Sequence, residues 1–317
     1  MDLNSAHFPA PDIDKSLISH KNETHSPGAV TTRILDGHSE SVYCVQFDEE
    51  KIVTGSKDQT IKIWCAKTLR CLRTLSGHKG SVVSLQYDSR WLASGSVDST
   101  IVLWNMNTYL PVRTLTNNTS SVLGLSLGEN IIAGSFKDST IKLWQIETGL
   151  LLHTLTGHIG PLSALKLHGS QIASGSADRL VKLWDVETGV CLRDFSGHTR
   201  GICCLQFDGR VIVSGANDCS IKIWDVATGD CIRTLEGHTD LVRSMHLRDA
   251  ILVTGSYDRS IRVWDLTTGE CLSHHPDCHD GWVYGVIFTE SRIVSVGQDG
   301  KVVVMDFEEG IVPRGSA

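Results

Sequence analysis

The sequence has no apolar run near the length that a bilayer-spanning helix needs, and it has no excess of basic residues. Lys and Arg number 29 against 36 Asp and Glu, which gives a formal net charge of -7. Nucleic-acid-binding proteins usually present a basic face and a high pI. The N-terminal region also lacks the apolar core of a secretory signal. We therefore expect neither nucleic-acid nor membrane binding, and we expect a location in the cytoplasm or the nucleus.

The ten cysteines do not form the pattern of a small disulfide scaffold. Four of them, Cys71, Cys191, Cys231 and Cys271, open the same short phrase in four copies of a repeat. Equivalent residues of a repeat lie on different structural units, so they are poor candidates to bridge one another. Unpaired thiols fit a reducing compartment.

The dominant feature of the sequence is a repeat with a spacing of 40 residues. A regular copy carries a Gly-His pair, an aspartate 20 residues after the histidine, and a tryptophan six residues after that aspartate. The Gly-His pairs are Gly37-His38, Gly77-His78, Gly157-His158, Gly197-His198 and Gly237-His238, with Asn117-Asn118 and Cys278-His279 in the remaining copies. The aspartates are Asp58, Asp98, Asp138, Asp178, Asp218, Asp258 and Asp299. The tryptophans are Trp64, Trp104, Trp144, Trp184, Trp224 and Trp264, with Met305 in the seventh copy.

Between these residues the first copy reads as four short strands. Runs rich in β-forming residues at Val42–Phe47, Lys51–Thr54, Thr60–Trp64 and Cys71–Leu75 are separated by turn residues. Four short strands in a period of this length are typical of one blade of a β-propeller. The chain resembles the WD40 family over residues 31–307. The resemblance implies an all-β, seven-bladed propeller, between a flexible polar tail (residues 1–30) and a C-terminal tail (308–317) whose IVPRGS phrase also resembles a protease-cleavage site.

The end of the repeat predicts how the ring closes. The seventh copy stops at Met305–Phe307, after its third strand. The segment Thr32–Leu35 has the apolar pattern of a fourth strand and precedes the first complete copy. We expect this N-terminal strand to complete the seventh blade, which removes two open sheet edges.

The repeated polar residues have a structural explanation in the family. The resemblance assigns His38, Thr54, Asp58 and Trp64 to a buried hydrogen-bonded network in the first blade, and such a network holds a blade rigid once every member is paired. The corresponding aspartates of other blades are Asp98, Asp178, Asp218, Asp258 and Asp299. Because active sites do not recur once per blade, we expect no catalytic residues here.

The third copy departs from the pattern. It has Asn118 in place of the histidine and Gly134 in place of the Ser/Thr, so its network is predicted to be incomplete and this blade the least rigid.

Function is sought instead in two columns that the WD40 resemblance places at one mouth of the central channel. The first follows each repeat histidine by five residues, and the second precedes each turn aspartate. The first column is Tyr43, Val83, Leu123, Ser163, Cys203, Arg243 and Tyr284; the second is Lys57, Val97, Lys137, Ala177, Asn217, Tyr257 and Gln298. Neighbouring loops contribute Arg179, Arg200, Arg259 and Trp282. Arginine and large aromatics carry much of the energy at protein interfaces. We expect a basic, aromatic-rich binding surface; the alternative is a set of ordinary solvated loops.

Phrases such as Gly197–Phe207 and Gly237–Leu247 are similar to the propellers of F-box/WD substrate receptors of ubiquitin ligases. Those receptors bind phosphorylated degrons at the mouth. The resemblance places Tyr43, Lys57, Arg200, Gly201 and Arg243 at such a site. Two positions depart from the family, because Lys57 and Trp282 stand where arginines are expected. Lysine lacks the bidentate fork that grips phosphate, and tryptophan lacks the charge.

These patterns indicate a non-catalytic module that binds proteins through acidic or phosphorylated peptide segments. The resemblance to F-box/WD receptors implies a role in a ubiquitin-ligase pathway of the SCF type. One alternative is a general scaffold that uses its rim, and a remote one is an enzyme.

An F-box is a helical module of about forty residues or more, which residues 1–30 are too short to hold. We therefore expect the chain to be either a fragment of a receptor or a propeller without its own link to the ligase. No cofactor is expected, and the oligomeric state is left open. A cluster at His274, His275, Asp277, Cys278 and His279 has zinc-ligand chemistry but no familiar zinc spacing, so we expect no metal site.

Overall fold

The computed structural model describes residues 30–116 and 118–312. These residues form 28 β-strands in seven four-stranded antiparallel sheets arranged as a seven-bladed propeller, which confirms the predicted fold class. The described residues include no helix that is long and apolar enough to cross a membrane. The predicted N-terminal tail lies outside the described residues except for Val30.

The strands are numbered along the chain. The first, β1, spans Val30–Leu35. Blade 1 contains β2 (Val42–Phe47), β3 (Lys51–Ser56), β4 (Thr60–Cys65) and β5 (Cys71–Ser76). Blade 2 contains β6 (Val82–Tyr87), β7 (Trp91–Ser96), β8 (Ile101–Asn105) and β9 (Pro111–Leu115). Blade 3 contains β10 (Val122–Leu127), β11 (Ile131–Phe136), β12 (Ile141–Gln145) and β13 (Leu151–Leu155). Blade 4 contains β14 (Leu162–His168), β15 (Gln171–Ser176), β16 (Val181–Asp185) and β17 (Cys191–Phe195). Blade 5 contains β18 (Ile202–Phe207), β19 (Val211–Ala216), β20 (Ile221–Asp225) and β21 (Cys231–Leu235). Blade 6 contains β22 (Val242–Arg248), β23 (Ile251–Ser256), β24 (Ile261–Asp265) and β25 (Cys271–His275). Blade 7 contains β26 (Val283–Phe288), β27 (Arg292–Gly297) and β28 (Val302–Phe307), together with β1.

The seventh blade is completed by the N-terminal strand, as the sequence predicts. Strand β1 pairs antiparallel with β28, with Val30 opposite Phe307 and Leu35 opposite Val302. The Asp306 carboxylate accepts hydrogen bonds from Arg33 on β1 and from Arg292 on β27. The closing strand is therefore held by a full ladder, by side-chain contacts and by the burial of Leu35.

The apolar core lies between neighbouring blades. One cluster joins Ile63 and Leu75 of blade 1 to Val82 and Trp104 of blade 2, and the same arrangement recurs around the ring. The second strand of each blade is buried on both faces between its neighbours, whereas the fourth strand is largely exposed. Because each blade completes the core of the next, the stability of one blade depends on the closed ring.

Polar clamps tie the outer edges of some blades together. Arg113 on β9 donates hydrogen bonds to the backbone oxygens of Glu147 and Thr148, in the next blade. In the same way, Arg193 of blade 4 donates to backbone oxygens of blade 5, and Arg233 of blade 5 donates to backbone oxygens of blade 6. Arg193 and Arg233 each stand two residues after a repeat cysteine, so the inter-blade contact explains the arginine of the repeated phrase in these two copies.

The C-terminal segment begins as part of the propeller. Ile311 is buried against blade 7, and its backbone N–H donates to the oxygen of Glu290 at 2.9 Å. The tail that the sequence predicts from residue 308 is therefore packed at least through residue 312. The remaining residues, 313–317, lie outside the described residues.

Candidate functional site

Each regular blade contains the same buried chain of hydrogen bonds. In blade 1, His38 Nδ1 lies 2.7 Å from the Asp58 carboxylate and Nε2 lies 2.8 Å from Thr54 Oγ1. The Trp64 indole N–H donates to that same hydroxyl at 2.9 Å. Thr60 adds a further donor to the carboxylate at 2.6 Å. The histidine is therefore held on both nitrogens and is not free to act as an acid or base.

The network recurs in five other blades, at the histidine–aspartate pairs His78–Asp98, His158–Asp178, His198–Asp218, His238–Asp258 and His279–Asp299. In blade 5, burial raises the pKa of the Asp218 carboxyl, but hydrogen bonds from Ser220, His198 and the Thr199 N–H outweigh it and lower the pKa to about 2. Burial lowers the pKa of His198, so that its ring is neutral at pH 7. The ionised carboxylate and the neutral imidazole, which is hydrogen-bonded on both nitrogens, thus serve to hold the blade together.

Blade 3 replaces this network with apolar packing. Gly134 offers no hydroxyl to the Trp144 indole, and the Phe136 ring packs edge-on against the tryptophan with centroids 6.0 Å apart. The other residues at the position of Phe136 are small, for example Ser96 and Ser176. A side chain at Gly134 would meet Ile101, Trp144 and Phe136 within 3.3 Å. The sequence predicts the missing polar partners but not Phe136, which fills their space.

The first mouth column is set by a β-bulge. The register between the first two strands shifts between Val42 and Cys44, so that Tyr43 has no partner across the ladder, and the shift recurs in every blade. A bulge turns a side chain away from the regular alternation of a strand. The second column lies beside the first, because the N–H of Lys57 donates to the oxygen of Ser41 at 2.9 Å and the same bond recurs in every blade. The two columns thus meet at the mouth, as the sequence predicts.

Blades 6, 7 and 1 bring an aromatic cluster to the mouth. Tyr257 and Trp282 are stacked, with ring centroids 4.3 Å apart and an angle of 2° between the planes. Tyr284 lies against Tyr257 at 5.7 Å and against Tyr43 at 5.0 Å. Trp282 is 40% exposed and Tyr284 only 8%. The stacked pair therefore presents the accessible apolar surface, and Tyr284 supports it from below.

The cations of the mouth differ in how much of their charge is free. Lys57 forms an ion pair with Glu40 at 3.0 Å, which offsets its charge. Arg243 is partly buried and donates a hydrogen bond to Tyr257. Lys137 and Arg200 are exposed and form no ion pair with any residue of the described part of the chain. Arg179 of blade 4 is also exposed and outside the ion pairs of the described residues, so the available positive charge lies on blades 3 to 6.

Gly201, the remaining residue that the resemblance assigns, has a structural role as well. A Cβ at this position would lie 2.9 Å from the backbone of Ala177, and the Gly201 oxygen accepts the N–H of Asn217 at 2.9 Å. The absence of a side chain lets the backbone at Gly201 lie against the turn that contains Ala177. This contact keeps the neighbouring Arg200 next to the mouth.

The cluster that enters blade 7 does not gather its side chains around one point. His279 is bonded to Asp299 and to Ser295, Asp277 pairs with Arg259, and the Cys278 thiol donates to a backbone oxygen. Within residues 30–116 and 118–312, no three His, Cys, Asp or Glu side chains are placed to hold a metal ion.

Comparison with known proteins agrees with this architecture. The model of the family "WD domain, G-beta repeat" matches residues 29–65, 69–105, 109–145, 149–185, 189–225 and 229–265. The computationally designed Ika8 protein has a similar crystal structure, with a TM-score of 0.73 and 33% sequence identity, over 90% of this chain and 94% of that one.

Several curated relatives are similar over about one repeat only. The probable E3 ubiquitin ligase complex SCF subunit sconB of Aspergillus fumigatus is 47% identical over 47 residues, which are 15% of this chain and 7% of that protein. The sconB subunit of Arthroderma benhamiae is 49% identical over 47 residues, with the same coverage. The F-box and WD repeat domain-containing 11-A protein of Danio rerio is 47% identical over 36 residues, 11% of this chain and 6% of that protein. The matches thus span less than a tenth of these relatives' length. The repeats found along most of the chain, and the propeller that they form, show that this protein belongs to the WD40 family.

Proposed function

We propose that the mouth of this propeller captures an acidic or phosphorylated peptide and that the protein serves as a substrate-recognition module. The observation that carries the proposal is the combination of unpaired cations at Lys137 and Arg200, the partly buried Arg243, and the stacked Tyr257–Trp282 pair on one face. WD40 propellers are generally protein-interaction modules, so a non-catalytic role follows the family. An involvement with SCF-type ubiquitin ligases is supported by the names of the sconB and F-box/WD relatives.

The layout of the mouth suggests how a peptide lies on it. An apolar or aromatic residue packs on the exposed face of Trp282, where a flat ring offers large contact area at little conformational cost. Acidic or phosphorylated residues then reach towards Arg243 and Arg200. Each charge-assisted hydrogen bond in such a partly desolvated site contributes about 1.5–3 kcal/mol, and about 1.4 kcal/mol corresponds to a tenfold change in affinity.

The proposal is tested with an immobilised array of peptides in three matched forms: phosphorylated, glutamate-substituted and unmodified. We expect the propeller to retain the first two forms and to release them as salt is raised. The double change Arg200→Glu and Arg243→Glu weakens retention by more than tenfold. Arg210→Glu is the matched control, because Arg210 is an exposed arginine of the same blade in the β18–β19 turn, at the end of the blade opposite the mouth. Retention that survives the double change at unaltered affinity contradicts the mouth as the binding site.

A second candidate function is a scaffold that binds through its rim, and one observation favours it. The fourth strands of blades 1 to 5 each expose a large apolar residue at the equivalent position, so the rim carries such a residue on five consecutive blades. The set is Leu72, Val112, Leu152, Leu192 and Ile232. Proteins captured by the wild-type chain and identified by mass spectrometry separate the two candidates. If the protein is a rim scaffold, Leu192→Glu abolishes capture of these proteins and Arg243→Glu does not. If it is a mouth receptor, Arg243→Glu abolishes capture and Leu192→Glu does not.

We further propose that the protein acts in the cytoplasm or the nucleus. All ten cysteines are unpaired in the structure, including the four exposed ones of the repeated phrase. Exposed free thiols are typical of proteins in reducing compartments. Fluorescent tagging at the C-terminus tests the proposal, and a secreted or membrane-associated signal would contradict it.

A further inference from the structure

The central channel contains positive charge that no acidic residue of its described lining neutralises. The channel encloses a cavity of about 270 Å³, many times the roughly 30 Å³ that one water molecule occupies in the liquid. Its lining includes Arg243 and Lys166 but, among the described residues that line it, no aspartate or glutamate. The chain as a whole carries a formal charge of -7. A cationic channel in an acidic protein needs an explanation.

In the first strand of most blades, the third residue after the bulge faces the channel. Its side chain usually bonds to the next blade, and Lys166, which holds this position in blade 4, does not. Most of these side chains bond to the backbone of the next blade. Gln46 accepts the Tyr87 N–H at 2.7 Å and donates to the Tyr87 oxygen at 2.9 Å. The equivalent contacts of other blades are Gln86 with Leu127, Ser126 with Leu167, Gln206 with Met245 and His246 with Phe288. Lysine has no acceptor to offer to the next blade.

Lys166 is left without a partner. Its ammonium makes no hydrogen bond or ion pair with any residue of the part of the chain that the structure describes. Burial lowers the pKa of Lys166, and no negative charge within residues 30–116 and 118–312 opposes that effect. Lys166 is half-buried along the channel, where its ammonium is less well hydrated than on the outer surface and has no protein acceptor. An anion from solution would supply that acceptor.

Three other polar side chains of this ring still have hydrogen-bond donors to offer. Gln86 commits its oxygen to Leu127 at 2.8 Å, which leaves its amide N–H groups free. Gln206 uses one amide hydrogen on the Met245 oxygen and retains the other. His246 accepts the Phe288 N–H on Nδ1, so the proton of the neutral ring is on Nε2. Burial, with Lys166 nearby, lowers the pKa of His246 to about 4 and keeps that ring neutral.

We propose that the channel binds a small oxyanion of the phosphate class, held by the Lys166 ammonium and by the surrounding amide and imidazole donors. This site is three residues along the strand from the mouth column, about 10 Å deeper at roughly 3.4 Å per residue. It does not depend on the proposed peptide capture. The oxyanion is either free in solution or part of a side chain that descends from a peptide at the mouth.

The test is isothermal titration of the full chain with inorganic phosphate, at an ionic strength held constant with chloride. The informative variant is Lys166→Gln. Glutamine occupies this position in blades 1, 2 and 5, so the variant fits the ring and can accept a hydrogen bond from the next blade. Lys67→Gln is the control, because Lys67 is an exposed lysine outside the channel. We expect Lys166→Gln to weaken phosphate binding at least tenfold, with an unchanged or higher melting temperature, and Lys67→Gln to have no effect.

Equal phosphate binding by the wild type and by Lys166→Gln, or no binding to either, overturns the site. If the titration supports the site, the peptide array with Lys166→Gln identifies the source of the anion. If Lys166→Gln loses phosphate but retains the peptides, the anion is a free one. If it loses both, the anion belongs to the peptide.

Discussion

The buried carboxylate of blade 5 offers the sharpest test of the network. Asp218 accepts hydrogen bonds from His198 Nδ1 at 2.9 Å, from the Thr199 N–H at 2.8 Å, and from the hydroxyl and N–H of Ser220 at 2.7 and 3.1 Å. The side chain is only 10% exposed. Asp218→Ala removes all four contacts at once and leaves the imidazole N–H without its acceptor.

The size of the effect follows from the pKa. A carboxyl that titrates near 2 rather than 3.8 has its charged form stabilised by about 2 kcal/mol, since one pKa unit is about 1.36 kcal/mol. The unpaired imidazole adds about 1 kcal/mol of desolvation cost. We expect Asp218→Ala to lower the free energy of unfolding by about 3 kcal/mol.

Asp138→Ala is the matched comparison, because blade 3 contains the same turn without the histidine. Asp138 is exposed, and its carboxylate is bonded among the described residues only to Thr140 and Thr119. We expect the cost at this position to stay below about 1 kcal/mol. Urea unfolding followed by tryptophan fluorescence measures both variants, with an unchanged slope showing that the native and unfolded states are comparable. Equal losses at Asp138 and Asp218 would refute the view that the histidine-linked network, rather than the turn alone, stabilises a blade.

Two further predictions concern the ring and its pH dependence. A chain that begins at Ser41 lacks β1 and should fail to unfold cooperatively at the parent temperature, whereas removal of residues 1–25 should change the melting temperature little; an equally stable chain without β1 would rule out closure by that strand. Burial lowers the pKa of His38, His78 and His158 below 6.5 in the folded state, so the unfolded chain binds more protons below that pH. The stability that these histidines contribute is present above pH 6.5 and is lost as the pH falls, and calorimetry between pH 7 and 5 should show a falling melting temperature.

The fold is predictable from the sequence because its signal is repeated. A histidine, an aspartate and a tryptophan at fixed spacing recur in nearly every blade, and each recurrence predicts the same turn and the same strands. The closing strand is predictable for a related reason, since the seventh copy lacks a strand and Thr32–Leu35 has the missing pattern. Where one copy lacks a residue of the pattern, the other copies still predict the turn and the strands at that position.

The mouth is less predictable, because its geometry depends on features that no single copy reveals. The bulge at Tyr43 changes where a side chain points without any signature residue. The ion pair between Lys57 and Glu40 and the stacking of Tyr257 on Trp282 join residues whose proximity arises only in the folded ring. Lys166 gives no signal in its own copy, and its departure is visible only when the hydrogen bonds of the equivalent residues are compared.

The pairing of β1 with β28 has a mechanical consequence. The strands are antiparallel and Val30 lies opposite Phe307, so the polypeptide enters and leaves the ring at the same end of one ladder. A pulling force between a partner attached before Val30 and one attached after Phe307 would load the hydrogen bonds one after another, as in a zipper, rather than all together in shear. We therefore expect the ring to open first at blade 7 when tension acts between its two ends.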